Sequence, residues 1–332
     1  MRFLYLSVAL ATFLAVACTD KHIRIVGSST VYPFAASVAE HFGRAGDYAA
    51  PVVEATGTGA GFKLFCAGTG ETHPYITNAS RAMLPGEREQ CAKNGITEIV
   101  EAKFGFDGIT IADAASAPVY NLSLKQIYLA LARYVPKDGK MVANGYERWN
   151  QVDPSLPDMP IKVYGSPPVS GTYDTFIELV MKKGCAEVPE LSTLIADKAE
   201  RERNCAMLRE DGRFVQVGEN GNLIAEKVMG DPGALGILGF SFLDQNMGKI
   251  QGSVINGIAP SFETIQNGSY PISRPLYFYV KTPAVAGIRE YVQEFMSEAA
   301  IGDEGYLVSE GLVPLLPIER TAIRDGLMAA IK

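Results

Sequence analysis

Short apolar runs alternate with segments of helical periodicity along the chain. The run HIRIV predicts a strand, and after it Phe34, Val38 and Phe42 recur every four residues, as on one face of an amphipathic helix. Further apolar runs predict strands with the sequences APVVEA, PYITNAS, PIKVYG, GALGILGF and RPLYFYVK. This alternation of strands and helices predicts an α/β architecture, and the length of 332 residues suggests two lobes.

The middle of the chain contains a glycine-interrupted apolar stretch, ITEIVEAKFGFDGITIA. We expect two short strands in series here, over residues 96–104 and 108–112, because Gly105 and Gly108 weaken a strand interior. Further on, SPPVSGT leads into YDTFIELVMKK, which predicts a helix. The alternation of strands and helices therefore continues through this region.

Three turns of similar composition follow predicted strands. They contain glycine and small hydroxyl residues, with the sequences GSST at 27–30, TGTG at 56–59 and SGT at 170–172. A helix N-cap is the ordinary explanation for any one of them. Helix N-termini also offer free backbone N–H groups and a partial positive charge, and α/β sheets bind ligands beyond the carboxyl ends of their strands. Together the three turns predict a cage of donors for one small oxyanion.

A cation is expected beside these donors. Arg81 follows the predicted strand YITNAS directly, so it would lie at the same edge of the sheet as the three turns. Its guanidinium can make a bidentate contact with a tetrahedral oxyanion. An exposed surface arginine is the alternative explanation.

Composition narrows the classes of ligand. The formal net charge is −7 and the Lys and Arg residues are not clustered, so a nucleic-acid partner is not expected. The sequence contains no G-x-S-x-G, H-E-x-x-H or G-x-x-x-x-G-K-[ST] motif, and GTGAGF departs from G-x-G-x-x-G at Phe62. These absences favour a binding protein over an enzyme.

The amino terminus predicts an export signal. Arg2 precedes an apolar run over residues 3–16 that is too short to span a bilayer, and residues 15–17, Ala-Val-Ala, resemble a cleavage site. We therefore expect a signal peptide over residues 1–17 and a mature protein in the periplasm. Cys18 would begin the mature chain, and both acylation of Cys18 as a lipoprotein and simple removal of the signal stay open.

Export places the other four cysteines in an oxidising compartment, where disulfides persist. Four cysteines allow three pairings, and closeness along the chain favours Cys66–Cys91 and Cys185–Cys205. A zinc site is the alternative, but C-x-x-C spacing and nearby histidines are lacking. We therefore predict two local disulfides.

Several stretches together resemble a known family. IRIVGSSTVYPFAASVAEHF, VVEATGTGAGFKLFCAG, YITNASRAM, FGFDGITIA, VYGSPPVSGTYDTFIELV and PGALGILGF occur in the order found in the periplasmic phosphate-binding proteins of high-affinity phosphate ABC transporters. The resemblance implies a two-lobed type II periplasmic binding protein fold with two crossing hinge strands. It implies a lobe 1 over residues 23–105 plus 275–332 and a lobe 2 over residues 106–274.

The resemblance also implies a set of ligand-binding residues in the three turns. These are Ser29, Thr30, Val31, Thr58, Ser170, Gly171 and Thr172. We add Ser80 and Arg81 at the end of the third strand. In the best-known branch of the family, an aspartate at the position of Arg81 accepts the proton of bound hydrogen phosphate, and an arginine of that branch is replaced here by Ser166.

Another acceptor is therefore expected if the ligand is phosphate. We propose Asp107 in the segment GFDG as the first candidate and Asp174 as the second. A turn-forming aspartate before Gly108 and a solvent-facing carboxylate in the first turn of a helix are the respective alternatives.

The resemblance implies a function as well. The chain is expected to capture inorganic phosphate between its lobes and to deliver it to the permease of an inner-membrane ABC transporter. We expect it to act as a monomer, without a cofactor and without enzymatic activity. The alternatives are the same fold with another oxyanion, sulfate or molybdate, and a phosphate-sensing module without transport. A phosphatase is a third class, against which the missing motifs argue.

Overall fold

The computed structural model describes residues 23–45, 48–70, 72–218, 220–282 and 287–331. The predicted signal peptide and Cys18 lie outside the described residues. Within the described ranges, no helix is long and apolar enough to cross a membrane.

The strands and helices follow one another along the chain as the sequence pattern predicts. The strands are β1 (Arg24–Gly27), β2 (Val52–Ala55), β3 (Ile76–Ala79), β4 (Ile99–Ala114), β5 (Asn121–Leu122), β6 (Tyr134–Lys137), β7 (Lys140–Ala143), β8 (Val163–Gly165), β9 (Phe214–Gln216), β10 (Leu235–Gly239), β11 (Ile250–Gly252), β12 (Val254–Ile255), β13 (Ser273–Lys281) and β14 (Val313–Pro314). The helices are α1 (Tyr32–Arg44), α2 (Thr58–Phe65), α3 (Pro85–Lys93), α4 (Leu124–Leu131), α5 (Trp149–Val152), α6 (Gly171–Phe176), α7 (Lys182–Ala186), α8 (Glu190–Leu194), α9 (Lys198–Cys205), α10 (Gly221–Gly230), α11 (Phe240–Gln245), α12 (Phe262–Gln266), α13 (Ile288–Phe295), α14 (Glu298–Ile301), α15 (Tyr306–Ser309) and α16 (Pro317–Ala330). A π-helical turn, Ile177–Met181, joins α6 to α7.

One ten-stranded sheet organises the molecule. Its strand order is β2-β1-β3-β13-β4-β10-β8-β9, and β11 and β14 also pair with β4. β1 is parallel to β2 and β3, which we call the first parallel group, and β8 is parallel to β9 and β10, which we call the second. Two long strands, β4 and β13, pair with each other and with the groups in antiparallel fashion, so they connect the two groups.

β4 is one continuous strand of 16 residues, so the prediction of two short strands broken at Gly105 and Gly108 is wrong. Its first part pairs with β13, and its later part pairs with β10 and β11. The pairing with β13 continues through both glycines, with a register shift between Leu276 and Tyr277 that falls beside Gly105. Gly105 serves close packing, since a Cβ there would lie 2.5 Å from Cδ1 of Leu312.

The hydrophobic core is divided into three clusters. One packs α1 and α13 against the first parallel group and includes Phe34, Phe104 and Phe295, whose rings meet edge to face. The largest cluster surrounds the second parallel group and includes Trp149. A small third cluster contains Phe62 together with the cysteines of α2 and α3. The lobe boundaries themselves stay a prediction.

Both predicted disulfides are present. Cys66 and Cys91 are bonded with their Cα atoms 4.2 Å apart, which ties the end of α2 to α3. Cys185 and Cys205 are bonded with a Cα separation of 5.6 Å, which ties α7 to α9. Loops of this length restrict the unfolded chain, and each bond contributes about 3 kcal/mol to stability in the chain-entropy model.

Gly27 ends β1 immediately before the first predicted anion-binding turn. Its φ is +134°, and an added Cβ would lie 2.1 Å from the backbone oxygen of Asn78. Gly57 has a φ of +82° but open space where a Cβ would stand. We expect Gly27→Ala to lower the free energy of unfolding by at least about 3 kcal/mol, and Gly57→Ala by about 1–2 kcal/mol from backbone strain alone.

Urea unfolding of the oxidised protein measures both effects. Gly86→Ala is the control, because Gly86 lies in α3 with open space around it. Its effect is expected to be within about 1 kcal/mol. Equal losses for Gly27→Ala and Gly57→Ala would contradict the steric argument.

Candidate oxyanion-binding site

Two cavities meet at the turn that follows β1. One has a volume of about 1050 Å³ and the other of about 580 Å³, and Ser29 and Thr30 line both of them. The turn therefore forms the wall between the cavities. It also stands at the carboxyl end of β1, the place where an open α/β sheet binds its ligand.

The larger cavity contains the predicted residues of the second turn and of the third strand. Thr58, Ser80 and Arg81 line it. The hydroxyl oxygens of Thr58 and Ser80 are 3.2 Å apart, and the backbone N–H of Ser80 donates to Thr58 Oγ1 at 3.2 Å. These bonds hold the start of α2 against the end of β3, so the two predicted sites form one surface.

Arg81 is a cavity-lining cation whose charge is already shared. Its Nη1 donates to Glu87 Oε2 at 2.9 Å, and its Nη2 donates to Glu87 Oε1 at 2.8 Å. The hydrogen bonds that Arg81 donates to Glu87 raise the pKa of the Arg81 guanidinium above its usual value. The guanidinium also lies over the ring of Phe62, 5.6 Å from its centroid. Arg81 is thus fixed at the cavity wall, with α3 supplying a counter-charge.

The smaller cavity contains the third turn. Asp107, Ser170, Gly171 and Thr172 line it together with the turn after β1. A Cβ added to Gly171 would lie 3.4 Å from Cα of Thr30, so the start of α6 touches that turn. The first and third predicted turns therefore face one another directly, and glycine permits this approach.

Side-chain capping explains one of the three turns and fails for the other two. Ser170 is the N-cap of α6, and its Oγ accepts from the backbone N–H of Thr172 at 3.2 Å. The N-caps of α1 and α2 are Val31 and Gly57, and neither side chain caps its helix. The hydroxyls of the first two turns are therefore not used as helix caps. The Val31 side chain is buried in the core.

Arg274 is a buried cation of the site that the sequence analysis missed. Only 8% of it is exposed, and it stands on β13 opposite Asp107 on β4. Its Nη2 donates to Thr30 Oγ1 at 2.6 Å and to Thr175 Oγ1 at 2.7 Å. Its Nε lies 3.4 Å from Asp107 Oδ2, and its Nη1 donates to Glu178 Oε2 at 2.7 Å. One guanidinium thus contacts the first turn, α6, the π-helical turn and β4.

A signal for Arg274 was present in the sequence. The segment SRPLYFYV has a single charge at the start of an otherwise apolar strand. Arginine is almost never fully buried unless it is paired, so such a position indicates buried partners. The sequence alone does not reveal which residues those partners are.

Asp107 lies within β4, so the explanation of a turn-forming aspartate is wrong. Its Oδ2 accepts from Thr175 Oγ1 at 2.7 Å, and only 13% of its side chain is exposed. Asp174, the second candidate, lines the larger cavity instead. Asp107 therefore lines the smaller cavity together with the third turn, whereas Asp174 does not line that cavity.

The larger cavity has an excess of positive charge. Its charged lining residues are the cations Arg81, Lys182, Lys183 and Arg274 and the acids Asp174 and Glu178. Burial, followed by repulsion from Arg274, lowers the pKa of Lys183 below its usual value. This local excess favours an anion against the overall charge of −7. In the part of the chain that the structure describes, no group of three or more His, Cys, Asp and Glu residues is arranged to hold a metal ion.

Comparisons with known proteins agree with this architecture. Residues 15–300 match the model of the PBP superfamily domain. Protein SphX of Synechococcus elongatus is 32% identical over 299 residues, which cover 87% of this chain and 76% of that protein. Phosphate-binding protein PstS of Staphylococcus epidermidis is 30% identical over 288 residues, which cover 84% of this chain and 74% of that protein.

A solved structure shows the same fold. The crystal structure of a possible phosphate binding protein from Planctomyces limnophilus superposes with a TM-score of 0.72 at 25% identity, covering 94% of this chain and 99% of that one. The family match extends over most of the described residues. The chain therefore belongs to the periplasmic binding protein (PBP) superfamily, and its α/β structure is the type II periplasmic binding fold that the sequence resemblance predicted.

Proposed function

We propose that this protein binds inorganic phosphate at the turn formed by Ser29 and Thr30 and delivers it to the permease of an inner-membrane ABC transporter. The observation that carries the proposal is the contact of this turn with the start of α6 at Gly171. Two sets of hydroxyl and backbone donors converge there on one small volume. The relatives named phosphate-binding protein PstS support phosphate as the anion.

The proposed ligand set combines donors with an acceptor. Hydroxyl and backbone donors come from the three turns and from the end of β3, Arg81 and the buried Arg274 supply positive charge, and Asp107 supplies a carboxylate oxygen. Near neutral pH phosphate keeps one or two protons and sulfate keeps none. A carboxylate in the site accepts a hydrogen bond from the first and repels the second, which is the basis of the proposed selectivity. The proposed set is Ser29, Thr30, Val31, Thr58, Ser80, Arg81, Asp107, Ser170, Gly171 and Thr172.

We also propose that the cleft closes between two lobes, residues 23–105 plus 275–332 and residues 106–274. The separate hydrophobic clusters around the two parallel groups support this division. β4 and β13 would serve as the hinge strands, since they connect the groups. The working form would be a monomeric periplasmic protein without a cofactor, exported by the signal peptide over residues 1–17.

Two further functions remain as competing proposals. Another oxyanion, sulfate or molybdate, would use the same donors without the carboxylate acceptor. A phosphate sensor without a transporter would bind the same ligand, and loss of phosphate uptake on deletion of the gene separates transport from sensing. The proposal excludes catalysis, so the protein is expected to hydrolyse no generic phosphoester.

Isothermal titration calorimetry tests the ligand. The mature protein, stripped of bound ligand by unfolding and refolding, is expected to bind one phosphate. Sulfate and molybdate are expected to bind at least about a hundredfold more weakly, because neither anion donates a hydrogen bond to the Asp107 carboxylate, which repels both. No measurable phosphate binding, or tighter binding of sulfate, would overturn the proposal.

Substitution of Asp107 tests the origin of selectivity. Asp107→Asn is expected to narrow the preference for phosphate over sulfate by at least about tenfold, because the amide no longer repels an unprotonated anion. Asp325→Asn, at an exposed position of α16, is the control, and its selectivity is expected to match wild type. Competition titrations measure both, and an unchanged ratio in Asp107→Asn would assign proton recognition to another group.

Substitution of Arg81 tests how much a positive charge at the wall of the larger cavity contributes to phosphate binding. Arg81→Ala is expected to weaken phosphate binding about tenfold, since it removes a cation from the lining and leaves Glu87 without its partner. Arg88→Ala, at an exposed position of α3, is the control and is expected to bind like wild type. Calorimetry at one salt concentration compares them, and wild-type affinity in Arg81→Ala would refute the role of this residue.

A further inference from the structure

One guanidinium nitrogen bridges the two sides of the cleft. Nη2 of Arg274 donates to Thr30 Oγ1 at 2.6 Å and to Thr175 Oγ1 at 2.7 Å. Thr30 follows β1 in the first parallel group, whereas Thr175 lies in α6, which follows β8 in the second. Both bonds exist together only while α6 lies against the turn after β1.

All three residues of this hydrogen-bonded bridge are buried. Thr175 is 0% exposed, Thr30 is 6% exposed and Arg274 is 8% exposed. Thr175 Oγ1 is within hydrogen-bond distance of Asp107 Oδ2, at 2.7 Å, and of the backbone oxygen of Gly171, at 2.9 Å. Its single proton serves one of these acceptors while its oxygen accepts from Arg274. A buried charge and hydroxyl held in this way are costly to separate.

The arginine is anchored on the connecting strands rather than on either side. Arg274 on β13 is paired in register with Asp107 on β4, and Asp107 Oδ2 lies 3.4 Å from its Nε. Glu178 accepts from Nη1 at 2.7 Å at the edge of the larger cavity. The two carboxylates offset the guanidinium charge, so its Nη2 is left to hold the two threonines. Arg274 is therefore anchored where β4 and β13 pair. Its two hydroxyl partners, Thr30 and Thr175, lie on the two sides of the cleft that would move apart.

We propose that Arg274 is a positioning residue, a latch that holds α6 against the Ser29–Thr30 turn and so preorganises the anion site. Its effect on affinity rests on the proposed function, because a preformed donor set binds phosphate without the free-energy cost of assembling it. Its effect on conformation concerns the protein without phosphate and is independent of the ligand.

Substitution of Thr175 distinguishes a positioning role of Arg274 from direct contact between Arg274 and the ligand. Thr175 is 0% exposed and lines neither cavity, so its hydroxyl is not placed to contact an anion bound there. If Arg274 acted only by direct contact, loss of the Thr175 hydroxyl would leave the conformation of the phosphate-free protein unchanged. If Arg274 acts as a latch, loss of that hydroxyl opens the cleft and weakens binding.

The test compares Thr175→Val with Thr110→Val in the mature protein. Thr110 is a matched control: it is also 0% exposed, and its Oγ1 donates to the backbone oxygen of Leu238 at 3.1 Å, away from the bridge. Thr175→Val is expected to weaken phosphate binding by at least about tenfold, the effect of a lost hydrogen bond to a charged group. Thr110→Val is expected to stay within about twofold of wild type.

Small-angle X-ray scattering of phosphate-stripped protein supplies the conformational readout. The radius of gyration of Thr175→Val is expected to exceed that of wild type, and those of Thr110→Val and of the rescue variant Thr175→Ser are expected to match it. An unchanged radius in Thr175→Val overturns the latch whatever the affinity. If wild type binds no phosphate, the proposed function fails, yet the scattering comparison still decides the latch.

Arg274→Lys covers the case in which Thr175→Val does not fold. The ammonium keeps the charge but lacks the planar fork that reaches both threonines and both carboxylates. An increased radius of gyration in Arg274→Lys supports the latch, and a wild-type radius overturns it.

Discussion

The buried charge of Arg274 constrains the whole cleft. A guanidinium that is 8% exposed has lost most of its hydration, so its N–H groups need protein partners. Those partners come from four separate places: Thr30 after β1, Asp107 on β4, Thr175 in α6 and Glu178 in the π-helical turn. Because none of these places can shift without leaving a buried donor unpaired, one side chain fixes the first turn, the third turn and the connecting strands relative to one another.

The charge arrangement suits an anion in an acidic protein. With a net charge of −7, the chain as a whole repels anions, and the site compensates locally. Backbone N–H groups and hydroxyls attract an anion without adding a formal charge. The two arginines near them each have a carboxylate beside them, Glu87 for Arg81 and Glu178 for Arg274. Such pairs hold their geometry before the ligand arrives, which is the condition for strong electrostatic binding at little reorganisation.

Features that depend on residues close together along the chain were predictable from the sequence. Features that depend on contacts between residues far apart along the chain were not. Strand-to-helix turns depend on neighbouring residues, and the cysteines that pair are close along the chain, so both were predicted. The continuity of β4 was missed, because it depends on pairing with β13, which begins at Ser273, and local glycines gave the opposite indication. The partners of Arg274 were missed for the same reason, since Thr30 is 244 residues away along the chain.

Asp107 connects the fold to the proposed selectivity. As a carboxylate it accepts from Thr175 and lies beside Arg274, so the junction of β4 and β13 requires its negative charge. The same charge faces the smaller cavity, where we propose that it accepts a hydrogen bond from hydrogen phosphate and repels an anion that has no proton. A substitution that removed the carboxylate to admit sulfate would also leave Arg274 less well paired. The residue that we propose discriminates between anions is therefore also one that the buried pairing of Arg274 depends on, so that specificity and structure would rest on the same side chain.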